Sequence, residues 1–403
     1  MDEWISQFIS ENRQLVTSTI VIIAIIHVIL GAAAYEILLE RKICAWVQDR
    51  LGPNRVGPMG LLQPIADGVK LFFKEDFLPR GIDRVLFVLA PALSVIPALI
   101  GFAVIPWAGV LELDGGPVRI IGADVNIGIV YLIAVASLGV YGVALGGWAS
   151  NSKYSFLGGL RASAQMVSYE IPLGLSLLCV ILTAGTVAPY ELVQQQIDGS
   201  WFLLQQPVAA VIFYTCMLAE ANRAPFDLAE AESELVGGWH TEYSSMKWAM
   251  FFLAEYAHIT VGSAFFVLLF LGGWSVNPLW FGPDLATSGG WGLILLQAAV
   301  TFGKVFLLVF LTMMIRWTLP RFRFDQLMRL AWEGMIPTAL LVLVTTALFI
   351  YMGWSGWLWL GSAAIVLLML IVQPLMPRQA SPNRRVGLIG SRFSPRVERG
   401  DAI

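Results

Sequence analysis

Nine stretches of this chain are apolar for long enough to cross the hydrocarbon core of a bilayer, and that constraint governs what the rest can fold into. About 20 consecutive apolar residues span such a core as a helix. The stretches lie near 15–39, 84–108, 126–149, 162–186, 202–221, 246–272, 291–317, 336–353 and 355–375. Lipid offers no partner to a backbone N–H or C=O, so each stretch must close its hydrogen bonds within itself, as a helix. Composition points the same way, with 57% of the 403 residues hydrophobic and 13% charged, which excludes a soluble enzyme. The expected fold is all-α: a polytopic transmembrane helix bundle of about eight core spans plus a ninth, over residues 1–376, followed by a basic flexible tail at 377–403.

Lys and Arg placement sets the expected orientation. The loops after the first, third, fifth and seventh spans hold most of the bases, among them Arg41, Lys42, Arg50, Lys70, Lys153, Arg223, Arg316, Arg321 and Arg323. The opposite loops are nearly devoid of them, so the amino terminus faces out and the basic loops face the cytoplasm. The tail carries Arg378, Arg384, Arg385, Arg392, Arg396 and Arg399, and nine spans, an odd number, put it inside as well. The tight join from Gly353 to Gly356 also admits a single re-entrant hairpin in place of the last two spans. A solubilising or lipid-binding role suits the tail's composition. The first residues, MDEWISQFISENRQ, are acidic and amphipathic rather than basic, which argues that the first span is retained and not cleaved as a signal peptide.

Residues 40–83 are too polar to span and too apolar for a plain loop. GPNRVGP is a turn-forming block; after it Leu61, Leu62, Ile65, Ala66, Val69, Leu71, Phe72 and Phe73 cover much of a short helix on which Asp67, Lys70 and Lys74 form a polar strip. This is the pattern of an interfacial amphipathic helix. Two roles fit it, a brace on the membrane surface and the floor of an opening for an amphipathic, lipid-soluble ligand with an apolar tail and a polar head.

The stretch 220–255, and within it a cytoplasmic-side acidic loop at 220–246, concentrates carboxylates. Glu220, Asp227, Glu230, Glu232, Glu234, Glu242 and Glu255 stand there with Arg223 and Lys247 as the only Arg or Lys. If residues 226–237 are helical, Asp227, Glu230 and Glu234 share one face and Glu232 lies off it. Further polar groups interrupt the spans themselves: Glu170 in the fourth, Glu255 in the sixth, Lys304 and Arg316 in the seventh. Ionisable groups in apolar helices are costly and mark charge pathways or neutralising pairs. Distributed over successive helices, they make a proton relay, because burial raises a carboxylate's pKa toward neutrality and a nearby base lowers it again. His258, one turn after Glu255, either extends that network or packs as an ordinary histidine; His27 reads as structural. Pro172 predicts a kink or local opening beside Glu170.

Other chemistries find no motif. Cys44, Cys179 and Cys216 stand far apart with no CxxC pair, so neither an iron–sulfur cluster nor any other metal site is written here, and a redox centre must lie on a partner. HExxH, a nucleophile elbow, a Walker loop and a strand-led GxGxxG are missing, and nothing calls for nucleic acid.

With these residues laid out, the chain resembles the H-subunit family of the proton-pumping NADH-quinone oxidoreductase, respiratory complex I, from about residue 36 to 337. The resemblance is carried by ERKICAWVQDRLGPNRVGPMGLLQPIADGVKLFFKE from Glu40, SYEIPLGL from Ser168, AEANRAPFDLAEAESELVGGWHTEYS from Ala219, FFLAEYAHI from Phe251 and RWTLPRFRFDQLMRLAWEGMIP from Arg316. It implies a multi-pass protein of the bacterial cytoplasmic membrane that forms most of a quinone tunnel. A quinone, ubiquinone or menaquinone, is the implied substrate, reduced by FMN and iron–sulfur clusters held on peripheral-arm subunits. Small and antiporter-like membrane-arm subunits and lipid are the other implied partners. By the same resemblance Arg41, Gln48, Arg50, Asp67, Lys70, Arg316 and Arg321 belong to the tunnel and its interface. Glu170, Glu220 and Glu255 form the proton relay, and Arg223, Asp227, Glu230, Glu232, Glu234 and Glu242 the acidic coupling loop. Glu36, the ninth span and the basic tail depart from the family's pattern. A homologous membrane component of an energy-converting hydrogenase is the nearest rival, and the GPNRVGP to LQPIADGVK block favours a quinone user. A stand-alone ion transporter lacks support, since no pair of Gly/Pro-broken helices marks two inverted halves.

Overall fold

The computed structural model describes residues 12–113, 116–228, 236–279 and 284–372, and in it the apolar stretches are helices of one bundle. The first, α1, runs Arg13–Val47; a short amphipathic helix, α2, covers Gln63–Phe73; α3 spans Arg84–Gly101. Strands β1 (Val110–Leu113) and β2 (Gly116–Arg119) precede α4 (Gly128–Ala149) and α5 (Lys153–Ala184). Next come α6 (Pro189–Asp198), α7 (Phe202–Gln205), α8 (Pro207–Glu220) and α9 (Ser245–Phe270). Strand β3 (Ser288–Gly289) leads into α10 (Trp291–Thr318), then α11 (Phe324–Arg329), which a π-helical turn at Leu330–Met335 joins to α12 (Ile336–Tyr351), and finally α13 (Leu358–Val372).

Among the described residues seven helices are long and apolar enough to cross a membrane, and Pro207–Glu220 and Ser355–Ile371 are shorter apolar helices. The predicted span 202–221 is split by Pro207, which lacks an N–H and disfavours helical backbone at Gln206, found at φ −134°, ψ 62°. The Gln206 side chain fills the break, donating to the Cys179 carbonyl at 3.2 Å and to Thr183. What remains, α8, has 14 residues, about 21 Å at 1.5 Å per residue against a core of about 30 Å. After α12 the chain reverses at Gly353, whose φ of +74° suits a residue without a Cβ. The 15-residue α13 then packs back on α12, α8 and α7. The basic tail at 377–403 lies outside the described residues. Helix α5 continues unbroken through Pro172, so no opening occurs there and the proline only withholds one donor from the Ser168 carbonyl.

A small sheet, unforeseen in an all-α reading, closes one end of the bundle. Its strand order is β2-β1-β3, with β1 antiparallel to β2 and parallel to β3. Gln297 on α10 ties it down, accepting from Gly109 N–H at 2.8 Å and donating to the Ala286 carbonyl at 2.6 Å. At the other end α2 lies across the amino terminus of α9. Ser245 Oγ donates to the carbonyl of Leu71 or Lys74, each 3.0 Å away, and Lys247 pairs with Asp76 at 2.7 Å. Ile65, Val69, Phe72 and Phe73 on α2 are exposed, as an interfacial helix requires.

Small residues set how closely the helices approach. A Cβ at Gly142 would stand 2.1 Å from Ser94 Oγ and 2.8 Å from Ser94 N, so α3 and α4 meet there through a backbone that only glycine allows. By contrast a Cβ at Gly174 on α5 would meet nothing within 4 Å. Gly142→Ala is therefore expected to destabilise by about 1–3 kcal/mol through overpacking. Gly174→Ala is expected to be neutral or slightly stabilising, because alanine favours the helix. Thermal denaturation of the detergent-solubilised assembly checks this, and equal midpoints for the two variants would refute the packing account.

Candidate functional site

Helical spacing puts Ala34, Leu38 and Arg41 of α1 on one face, opposite Gln63, Asp67 and Gly68 of α2, with Met250 and Phe252 of α9 closing the third side. They line an open-sided cleft of about 210 Å³. Its walls are apolar apart from one polar group at the mouth: Arg41 donates to Asp67 Oδ2 at 2.7 Å, and Gln63 Nε2 donates to Oδ1 at 3.1 Å. Lys70 stands 4.0 Å from Asp67, on the outside. Gln48 and Arg50 are not part of the cleft. Both are exposed beyond the end of α1, where Arg50 Nε donates to Gln48 Oε1 at 2.8 Å.

Arg316 belongs to an interior ion cluster centred on Glu40. Tyr256 Oη donates to Glu40 Oε2 at 2.7 Å, Arg316 pairs with Oε1, and Arg223 lies 3.8 Å from Oε2 and 3.6 Å from Glu255 Oε2. The Arg223 guanidinium also sits 4.1 Å from the Tyr256 ring centroid, a cation–π contact. One turn along α1, buried Glu36 accepts from Thr260 Oγ1 at 2.6 Å. In the sequence Glu40 stands out only as the start of a motif string. Its helical spacing from Glu36, on a span otherwise apolar, is the signal that marks it.

Beside the cluster, two cavities that share Glu220, Ala221 and His258 in their walls hold the other carboxylates. One is lined by Ser137 and Glu170, with Ser137 donating to Glu170 Oε1, and by Glu220 and His258. The second is lined by Glu220 and His258 again, with Asn222 and Glu255. Glu170, Glu220 and Glu255 therefore come together across α5, α8 and α9. Lys304 does not join them. Near the sheet end its Nζ donates to the Leu271 and Gly273 carbonyls at 2.5 and 2.8 Å, capping the carboxyl end of α9.

Of the acidic loop, Asp227 accepts from Arg321 at 2.8 Å, which places Arg321 on the loop rather than in the cleft. Phe226–Leu228 are not helical, because Gln165 holds this backbone by donating to the Ala219 and Phe226 carbonyls at 2.8 Å each; residues 229–235 lie outside the described residues. Glu230, Glu232 and Glu234 lie outside the described residues. Glu242 is half-buried just before α9. Next to it Tyr243 stacks on Phe87 with centroids 4.0 Å apart and donates to the Phe87 carbonyl at 3.2 Å; burial holds its hydroxyl above the ordinary tyrosine pKa. Among the described residues no group of three or more His, Cys, Asp or Glu is set to hold a metal ion.

Comparison with known proteins matches residues 20–347 to the NADH dehydrogenase family. One of the NADH-quinone oxidoreductase H subunits of Cytophaga hutchinsonii is 46% identical over 333 residues, 82% of this chain and 96% of that protein. An H subunit of the same enzyme from Geobacter sulfurreducens is 46% identical over 341 residues, 82% of this chain and 93% of that protein. The H subunit of Flavobacterium johnsoniae is 44% identical over 337 residues, 83% of this chain and 95% of that protein. The last helix, α13, and the tail fall beyond the matched family region. With identity of this level over nearly the whole length of its relatives, the chain belongs to the H-subunit family of NADH-quinone oxidoreductases.

Proposed function

We propose that this chain is the membrane subunit of a proton-pumping NADH-quinone oxidoreductase that admits quinone through the α1–α2–α9 cleft and couples its reduction to proton movement through the interior carboxylates. One observation carries the reading. Arg41 and Glu40 are neighbours on α1, yet Arg41 closes the mouth of the cleft with Asp67 while Glu40 anchors the interior cluster with Arg223 and Arg316. A change of charge in the cleft is thus felt one residue away, where water is scarce and Coulomb interactions are least screened.

The cleft suits an amphipathic substrate, with apolar walls for an isoprenoid tail and a hydrogen-bonding pair for a quinone head. The cysteines do not fit an iron–sulfur cluster, Cys179 and Cys216 being buried on separate helices and Cys44 on a third; membership of the family supports an electron source, FMN and iron–sulfur clusters, on peripheral-arm partners. Proton uptake by the reduced quinone alters the charge balance of Asp67, Arg41 and the acidic loop. Glu40, Arg223 and Glu255 transmit that change to Glu220 and Glu170, and from there to the antiporter-like neighbours. In the membrane the amino terminus faces out and the α2 end of the bundle faces the cytoplasm, where the bases are concentrated.

Two outcomes test the reading. A Cβ at Gly68 would meet nothing within 4 Å, and this glycine lines the cleft, so Gly68→Leu adds apolar bulk at the cleft where there is room for a side chain. It is expected to raise KM severalfold for a long-tailed quinone and to spare a tail-less analogue; equal effects on both would remove the cleft from the substrate path. Glu220→Gln and Glu255→Gln keep shape but cannot exchange a proton. Each is expected to assemble and to lower proton translocation by about tenfold or more, a modest share of what acid–base groups contribute. Normal pumping in both variants would defeat the relay.

A further inference from the structure

We propose that His258 is the proton-passing link between the Glu255 cluster and the Glu220–Glu170 cavity, an inference that rests on the relay reading above. His258 stands three residues after Glu255 on α9, one turn along the same helix. Its ring lines both cavities, as does Glu220. It is hydrogen-bonded to the backbone of Ser94 on α3, and it faces Gly139 on α4, where a Cβ would stand 3.3 Å from both Cε1 and Nε2. The ring therefore packs directly on the Gly139 backbone, where a methyl would crowd it.

Glu255 and Glu220 lie on different helices and line one cavity together with His258, so a side chain that takes a proton at one atom and gives one from another can bridge them. An imidazole accepts at one nitrogen and donates from the other. In the proposed step the Glu255 carboxyl gives its proton to one ring nitrogen, and the proton on the other nitrogen goes to the Glu220 carboxylate. No electron is transferred. The ring ends neutral in its other tautomer, and a turn of the ring resets it for the next proton.

The test compares His258→Gln, His258→Glu and Gly139→Ala in the assembled complex in sealed vesicles, reading protons translocated per NADH oxidised. His258→Gln keeps the hydrogen bonding but carries no proton, and is expected to cut translocation by about tenfold, in the range of a lost acid–base group. His258→Glu keeps an exchangeable proton and is expected to retain a clearly larger share than Gln. A purely structural histidine predicts the reverse order, since the neutral amide is the better replacement. Gly139→Ala crowds the ring and is expected to lower translocation severalfold, with no added loss on top of His258→Gln. Wild-type translocation in His258→Gln, or Gln outperforming Glu, overturns the proposal; if neither histidine variant assembles, unchanged translocation in Gly139→Ala does so. Loss in Glu220→Gln and Glu255→Gln with a normal His258→Gln refutes the histidine link alone. Normal translocation in those two glutamate variants refutes the relay itself.

Discussion

A single carboxylate, Glu40, is held inside an apolar bundle by a guanidinium from α10, a second from the segment after α8, and a phenol from α9. Burying such ions is expensive. Taking out one partner of a buried pair costs about 3–5 kcal/mol, whereas replacing a whole pair by apolar side chains is often neutral or stabilising. Stability alone therefore gives little reason for this cluster. What it does is fix four separate pieces of chain to one point.

The shortness of α8 makes that arrangement possible. A full-length span would carry residues 221–223 out of the bundle into water. Because the helix starts late, at Pro207, and ends at Glu220, the chain turns inside the bundle end, with Asn222 at φ +49° and Arg223 only 7% exposed. Gln165 on α5 satisfies the backbone so exposed to an apolar interior, which would otherwise cost about 1–3 kcal/mol per unpaired group. Polar density and a broken span are thus two aspects of one feature.

Much of the architecture is legible in the sequence. Long apolar runs name their helices, the alternation of leucine, phenylalanine and lysine over 61–74 names α2, and the motif strings name the family. What the sequence could not place are the partners. Gln48 and Arg50 pair with each other beyond the end of α1, and Arg321 pairs with Asp227. The Gln165 side chain captures the Phe226 backbone from across the bundle. The sheet escapes notice because its strands are short and two of them come from segments more than 150 residues from the third.

By itself the sequence determined which segments must be helical and which residues are too costly to bury idly, because both follow from local hydrophobicity and the solvation of charge. Which of those charges meet was decided only by the tertiary structure. Glu40, Arg223, Glu255 and Arg316 are separated by up to 276 positions, and their encounter depends on how α1, α8, α9 and α10 pack, a contact geometry that no single segment encodes.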